Sequence, residues 1–373
     1  MKRLFIVVNV DWFFLSHRLP VALAAQSSGW DVTIVTADTG HFSTIESNGL
    51  KAVDLPMSRS GMNIFQELKT LRFLYSLYKK EKPDIVHHVG MKTILWGTMA
   101  AKFTHVNGVV NAISGLGGFF SEENKSFLNK ILPSVLKFSH NRKNLLCIFQ
   151  NNNDWNLYVN HGIISHTQGR FIKGSGVDLN KLSYSPEPES GKIRIILTAR
   201  MIEEKGIFLL TQAAERLRKK YESNVEFLLV GGLDDHPGAI TKKQLDSVCD
   251  NNYIQWLGYR NDVPILLQQS HIMAFPSYYM EGLPKSLIEA NAIGRPIITS
   301  DSVGCRDAVI DGYNGFIIQP KDVDALTDRL DLLISNKELR IKMGKNARKY
   351  AEKYFSIDIV IQKHLAIYNE LIS

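Results

Sequence analysis

The stretch F-P-S-Y-Y-M-E-G-L-P-K-S-L-I-E-A-N-A-I-G-R-P-I-I-T-S-D, residues 275–301, decides the fold. It reads in order as the end of a strand, an irregular loop holding Glu281-Gly282-Leu283-Pro284, a helix over Pro284–Ile293, the helix-ending Gly294, and a strand over Pro296–Ser300. A strand, a crossover helix and a second strand make a βαβ unit, which builds a parallel sheet. Pro284 suits the first helical turn, where its missing N–H would be unpaired in any case. The unpaired N–H groups of that turn can then receive an anion or a polar ligand.

The same alternation runs outward in both directions. Upstream, strands are predicted at Ile193–Thr198, Val225–Gly231, Tyr253–Gly258 and Ile272–Pro276, with a helix over Ile207–Tyr221; downstream, a strand is predicted at Gly315–Ile318. The polar run Y-S-P-E-P-E-S-G-K at 184–192 interrupts the pattern and reads as an exposed linker. Before it, strands are predicted at Leu4–Asn9, Asp31–Thr36, Ile85–His88, Gly108–Ala112 and Leu146–Gln150, with a helix over Leu19–Ser28 closed by Gly29. The expected architecture is α/β, with two doubly wound Rossmann-like domains facing a central cleft. The first spans residues 1–183, the linker 184–192 and the second 193–356. A last helix at 357–373 is placed to complete the first domain by crossing back to it.

Two short constellations carry chemistry. In L-T-A-R-M-I-E-E-K-G at 197–206, Arg200 stands at a strand end and Lys205 at the next helix start, where a diphosphate lies in a doubly wound fold. Arginine grips phosphate oxygens in a fork and lysine adds a compact charge. In the 275–301 stretch, Glu281 and Glu289 are placed so that one carboxylate at the loop meets the hydroxyls of a hexose and one on the helix meets those of a ribose. Read singly, Glu289 is equally well a solvated helix residue and Glu281 a loop acid.

Taken together, and with V-G-G at 230–232, W-L-G-Y-R-N-D-V at 256–263 and G-V-D at 176–178, these segments resemble glycosyltransferase family 4, whose architecture is called GT-B and whose members retain anomeric configuration. The resemblance implies that Arg200 and Lys205 hold the diphosphate of a sugar-nucleotide donor. Glu281, with the amides of Gly282 and Leu283, would hold the donor sugar and Glu289 the ribose, while Tyr259 and Arg260 would border the base. The pieces S-H-R-L-P, S-G-L-G-G-F and G-G-L-D-D-H-P are similar to a subgroup that extends undecaprenyl-diphosphate-linked sugars, including N-acetylgalactosaminyltransferases. Gly117 would then let backbone approach the donor. The sequence departs from the family after its first strand, where N-V-D-W-F-F-L-S-H-R-L-P replaces a frequent Gly-Gly pair, and at Ser114, where many members carry a histidine. His17, His88 and Lys92 are the candidates for the acceptor side. The implied reaction is transfer of a hexose or N-acetylhexosamine from a UDP-sugar to a lipid-linked sugar in bacterial surface polysaccharide or glycoprotein glycan assembly.

Composition narrows the class. With 45% hydrophobic and 22% charged residues the chain is an ordinary globular one, long enough for two cores. Residues 1–185 carry 20 Lys/Arg against 12 Asp/Glu, whereas the remainder carries 24 against 25, so the net charge of +7 belongs to the first half. Such a field draws anionic lipid, phosphorylated substrates or nucleic acid alike. No nucleic-acid motif or aromatic stacking platform accompanies it, and no nucleic-acid partner is expected. The segment 119–143, which includes Lys125, Lys130, Lys137, Arg142 and Lys143, is expected to pack its apolar side on the sheet and to turn its charges to an anionic membrane. No apolar run reaches the roughly 18 residues that suggest a membrane span, and the three scattered cysteines fit a reducing cytoplasm, which places the protein peripherally on the inner membrane face. Asp322 is expected to cap a helix. Asp234-Asp235-His236 is the better ligand set, yet no obligatory metal or other cofactor is expected, since cations and a helix end already serve the diphosphate. A sugar-nucleotide epimerase of similar fold and a non-catalytic polyanion binder are the alternatives.

Overall fold

The structure is a computed structural model that describes residues 1–57, 64–116, 127–189 and 191–372. The chain divides into two compact units, Met1–Ser175 with Ile357–Ser373, and Gly176–Ser356.

In the first unit the order is β1 (Lys2–Val10), α1 (Asp11–His17), α2 (Leu19–Ser27), β2 (Trp30–Ala37), α3 (Phe42–Ser47), β3 (Lys51–Asp54), α4 (Ile64–Glu81), β4 (Ile85–Val89), α5 (Met91–Phe103), β5 (Gly108–Ile113), α6 (Phe127–His140), β6 (Leu145–Phe149), α7 (Asn152–Asn160) and β7 (Gly169–Phe171). The strands pair in parallel in the order β3-β2-β1-β4-β5-β6-β7. β1, β4, β5 and β6 are buried along nearly their whole length, because helices cover both faces of the sheet and each strand must be apolar on both sides.

The second unit continues with β8 (Ile193–Thr198), α8 (Ile207–Tyr221), β9 (Val225–Val230), α9 (Lys242–Asp246), β10 (Ile254–Trp256), α10 (Val263–Gln268), β11 (Ile272–Phe275), α11 (Lys285–Ile293), β12 (Ile297–Ser300), β13 (Gly315–Ile318), α12 (Val323–Ser335) and α13 (Lys337–Tyr354). Its parallel order, β10-β9-β8-β11-β12-β13, repeats that of the first sheet. Both are Rossmann orders, in which the winding reverses between the first and fourth strands and leaves a crevice at their carboxyl ends. The last helix, α14 (Ile357–Ile372), belongs to the first unit, where Val360, Ile367 and Tyr368 are buried and the Tyr368 hydroxyl lies 2.7 Å from Nδ1 of His87.

Residues 184–189 are exposed at Tyr184, Pro186 and Glu189, as expected of a linker, and are also fastened to the second unit. The buried Arg295 guanidinium donates to the carbonyls of Ser185 and Pro186 at 2.8 and 3.1 Å, and Glu187 forms a buried ion pair with Arg340 at 2.9 Å. A proline-containing extended segment offers carbonyls without competing donors, and Arg295 takes them up, so the strap packs on the second unit. Pro284 is the residue before α11, with φ −61° and ψ 128°, one position ahead of the expected first turn.

Candidate active site

Just beyond β8, Arg200 and Lys205 each meet a carboxylate from another loop, Asp234 after β9 and Glu281 after β11. Lys205 closes a single 3₁₀ turn, Glu203–Lys205, that follows β8, and is only 5% exposed. Its ammonium pairs with the Glu281 carboxylate and stands 4.7 Å from the centre of the Tyr279 ring and 5.6 Å from that of Phe275. A carboxylate and two ring faces thus surround the enclosed ammonium. Arg200 donates to Asp234 at 2.9 Å, and the other oxygen of Asp234 accepts the His236 N–H at 2.9 Å.

Backbone contacts fix the two loops to each other. The carbonyl of Glu204 accepts from Tyr278 N, Tyr279 N and the Ser277 hydroxyl at 2.9, 3.1 and 3.2 Å. Gly206 has φ +82°, and a side chain there would strike the Pro276 carbonyl. Gly304, in the loop after β12, has φ +85°, and a Cβ would fall on the carbonyl oxygens of Glu281 and Gly282. Glycine is required at both positions by backbone conformation and close approach. Tyr279, Asp234 and Gly304 thus belong to the site. Their part is not readable from spacing, because each acts through a contact between distant segments.

Gly282 and Leu283 precede the amino end of α11. Glu289 lies inside that helix, 3.9 Å from the Lys285 ammonium, and burial pushes its carboxyl above the usual range. Tyr259 is 81% exposed and stands next to Gly232, while Arg260 forms a fork with Asp262 at 2.8 and 2.6 Å. Asp322 caps α12 by accepting from Ala325 N at 2.8 Å.

In the first unit the candidates separate. His17 ends α1, stacked on Phe13 with ring centres 4.1 Å apart and 7° between planes. His88 is corrected: it is fully buried, with Nε2 3.0 Å from the Tyr78 hydroxyl and Nδ1 2.8 Å from Asn111 Oδ1. Burial lowers its pKa to about 3, so it is a neutral core residue and not an acceptor contact. Lys92 is half-buried and paired at 2.8 Å with Glu67, a largely buried carboxylate that also accepts from the Trp96 indole. Gly117, with the segment through residue 126, lies outside the described residues. On α6, Leu136 faces the core as expected, but Ile131 and Phe138 are exposed, and Arg142 donates to backbone carbonyls of Val106 and Asn107.

The chain is similar to known proteins along nearly its whole length. The profile "Glycosyl transferases group 1" matches residues 181–350 and "Glycosyl transferase 4-like" matches residues 3–151. An N,N'-diacetylbacillosaminyl-diphospho-undecaprenol alpha-1,3-N-acetylgalactosaminyltransferase of Campylobacter jejuni is 28% identical over 96% of this chain and 98% of the relative. A UDP-Gal:alpha-D-GlcNAc-diphosphoundecaprenol alpha-1,3-galactosyltransferase of Escherichia coli is 26% identical over 92% of this chain and 90% of the relative. Among solved structures, a glycosyltransferase from Rickettsia africae aligns with a TM-score of 0.81 at 20% identity over 100% of this chain and 99% of that one. Anabaena HepE in complex with UDP aligns at 0.77 and 18% identity, over 99% of this chain and 100% of that one.

Proposed function

The chain belongs to the glycosyltransferases of GT-B fold, with a group 1 second unit and a 4-like first unit, and from this we propose that it is a retaining enzyme that moves a hexose or N-acetylhexosamine from a UDP-sugar to an undecaprenyl-diphosphate-linked sugar. The observation that carries the reading is the pair of cations just beyond β8, Arg200 and Lys205, each held by a carboxylate from another loop, Asp234 and Glu281. Such cations suit the departing diphosphate, on which charge grows as the donor bond breaks. Glu281 accepts hydrogen bonds from hydroxyls of the donor sugar. Its ion pair with Lys205 holds both groups in place before the donor arrives, which lowers the reorganisation needed during the reaction.

Retention follows if the acceptor hydroxyl attacks on the face that the diphosphate leaves. The bond from C1 to the diphosphate oxygen breaks, the bond from C1 to the acceptor oxygen forms, and the acceptor proton passes to the departing diphosphate. The protein then needs no placed nucleophile, only charge stabilisation and alignment. No metal enters this scheme.

The acceptor's lipid calls for work at a membrane surface. Among the described residues no helix is long and apolar enough to cross a membrane. The first unit instead exposes Ile64, Phe65 and Leu68 on α4 and Phe138 on α6, and a cavity of about 830 Å³ carries Lys137, Arg142 and Lys143 with no carboxylate in its lining. These support peripheral binding to an anionic cytoplasmic leaflet.

The test is UDP release from a panel of UDP-sugars, with and without undecaprenyl-diphosphate-linked monosaccharides, in the wild type and in Glu281→Ala. Acceptor-dependent release that the substitution suppresses roughly a hundredfold supports the proposal. Conversion of a donor to its epimer without acceptor would favour an isomerase, and retention of polyanions with no turnover of any UDP-sugar would favour a binding protein.

A further inference from the structure

The first sheet has its own crevice, between β1 and β4. On the β4 side, His88 is committed to Tyr78 and Asn111, and Lys92 is paired with Glu67. On the β1 side stands Trp12, the second residue of α1. It is 37% exposed, whereas the other four tryptophans are buried or half-buried.

The backbone that carries the indole is held in place. Asp11, fully buried at the end of β1, accepts Trp12 N at 2.6 Å, Thr39 N at 2.7 Å and His41 N at 3.0 Å, and also the Thr39 hydroxyl. Burial works against its charge, but those hydrogen bonds outweigh it and keep the carboxyl below its ordinary range. One ionised side chain therefore fastens the start of α1 to the loop after β2. Behind Trp12 lies Phe13, edge-on at 6.2 Å, itself stacked on His17. An exposed tryptophan so anchored and backed gives little entropy away when a ligand settles on it.

We propose that Trp12 is the stacking platform for a pyranose ring of the acceptor, a sugar subsite at the crevice of the first sheet. A pyranose has one face of C–H groups with slightly positive hydrogens and a rim of hydroxyls. The indole face carries the complementary negative potential, and the imidazoles of His17, at the end of α1, and of His41, exposed on the loop that Asp11 fastens to α1, stand on the same two segments. The strand carboxyl ends are also where an open α/β sheet binds its ligand. Imidazoles on both segments favour a sugar over a lipid tail, which would set polar groups against hydrocarbon. Asp11 is a positioning residue for this platform.

The inference rests on the transferase reading, and the experiment separates the two. Full-length wild type, Trp12→Ala and Trp12→Phe are assayed with a water-soluble, short-chain polyprenyl-diphosphate sugar. The acceptor KM is expected to rise about tenfold in Trp12→Ala, equivalent to 1.4 kcal/mol, while donor KM stays within about twofold and Trp12→Phe recovers most of the loss. Titration with the sugar diphosphate lacking lipid should change indole fluorescence in the wild type and not in Trp12→Phe. An unchanged acceptor KM in Trp12→Ala overturns the proposal. So does a loss confined to binding of phosphatidylglycerol vesicles, which would make Trp12 a membrane contact. If the wild type turns over no UDP-sugar, the transferase reading fails, and the fluorescence titration alone then decides whether a sugar meets Trp12.

Discussion

Two sheets of one strand order treat their ionisable side chains in opposite ways. In the second unit, Arg200, Lys205, Asp234 and Glu281 stand at strand ends as ion pairs whose members can exchange a partner for a ligand. In the first, His87, His88, His140 and His364 lie inside the core and are neutral. His88 and His140 share Asn111 at 2.8 and 3.0 Å, and His364 is bonded to the Val360 carbonyl at 2.8 Å. Burial is the leading cause in all four, taking His88 and His364 to about 3, His140 to about 4 and His87 well below its ordinary value. A histidine at the end of a strand is therefore no sign of a site when helices cover both sheet faces, while a cation just beyond the strand, on the loop, is a better one.

Acidification should break the comparison most strongly. A histidine whose folded pKa is depressed adds stability that is complete above the unfolded value near 6.5 and is lost as pH falls through the window down to about 3–4. Each such group removes about 1.4 kcal/mol per pH unit within that window. The first unit holds four of them and the second holds His271, lowered to about 4 mainly by burial. Hydrogen exchange followed from pH 7 to pH 5 should show protection lost first in β4, β5, α6 and α14. Simultaneous loss in both units would contradict this reading.

Next in size is Gly304→Ala. Its methyl must displace the Glu281–Gly282 backbone, so kcat/KM for the donor should drop by about tenfold or more, at a cost of order 1–3 kcal/mol in strain, with the exchange pattern of the first unit unchanged. His88→Ala sharpens the correction made above. It strands the Tyr78 hydroxyl and leaves the Asn111 side-chain oxygen with Thr98 alone, so thermal unfolding should show a loss of about 1–3 kcal/mol, while acceptor KM measured on the folded enzyme stays as in the wild type. The smallest effect is expected for Arg260→Ala, whose fork with Asp262 is exposed. Calorimetry should find the unfolding temperature unchanged, since a solvated ion pair contributes little.

Local pattern made much of the fold legible. β8, β13, α8 and α14 begin and end where periodicity and caps place them. The strands missed are β3, with K-A-V-D at a sheet edge, and β7, with three residues, neither of which has an apolar run to announce it. The strap at 184–189 reads as a linker because its composition is polar, and only the buried Arg295 and Arg340, more than 100 residues away, make it part of the second unit. The same distinction holds at the site. Arg200, Lys205 and Glu281 were legible because each sits at a fixed offset from a strand end. The Asp234 partner of Arg200, the Tyr279 ring over Lys205 and the support from Gly304 are contacts across 34, 74 and about 22 residues, which no local spacing reveals. His88 had the right offset, but its full burial and its partners Tyr78 and Asn111 withdraw it from ligand binding.

The central claim is that Arg200 and Lys205 grip the donor diphosphate, and it is tested most directly by calorimetric titration of UDP into wild type, Arg200→Ala and Lys205→Ala. Each loss of a charge-assisted contact in the crevice should raise the UDP Kd roughly ten- to a hundredfold, or about 1.5–3 kcal/mol. Equal affinities across the three proteins would contradict the claim and move the donor away from the β8 edge.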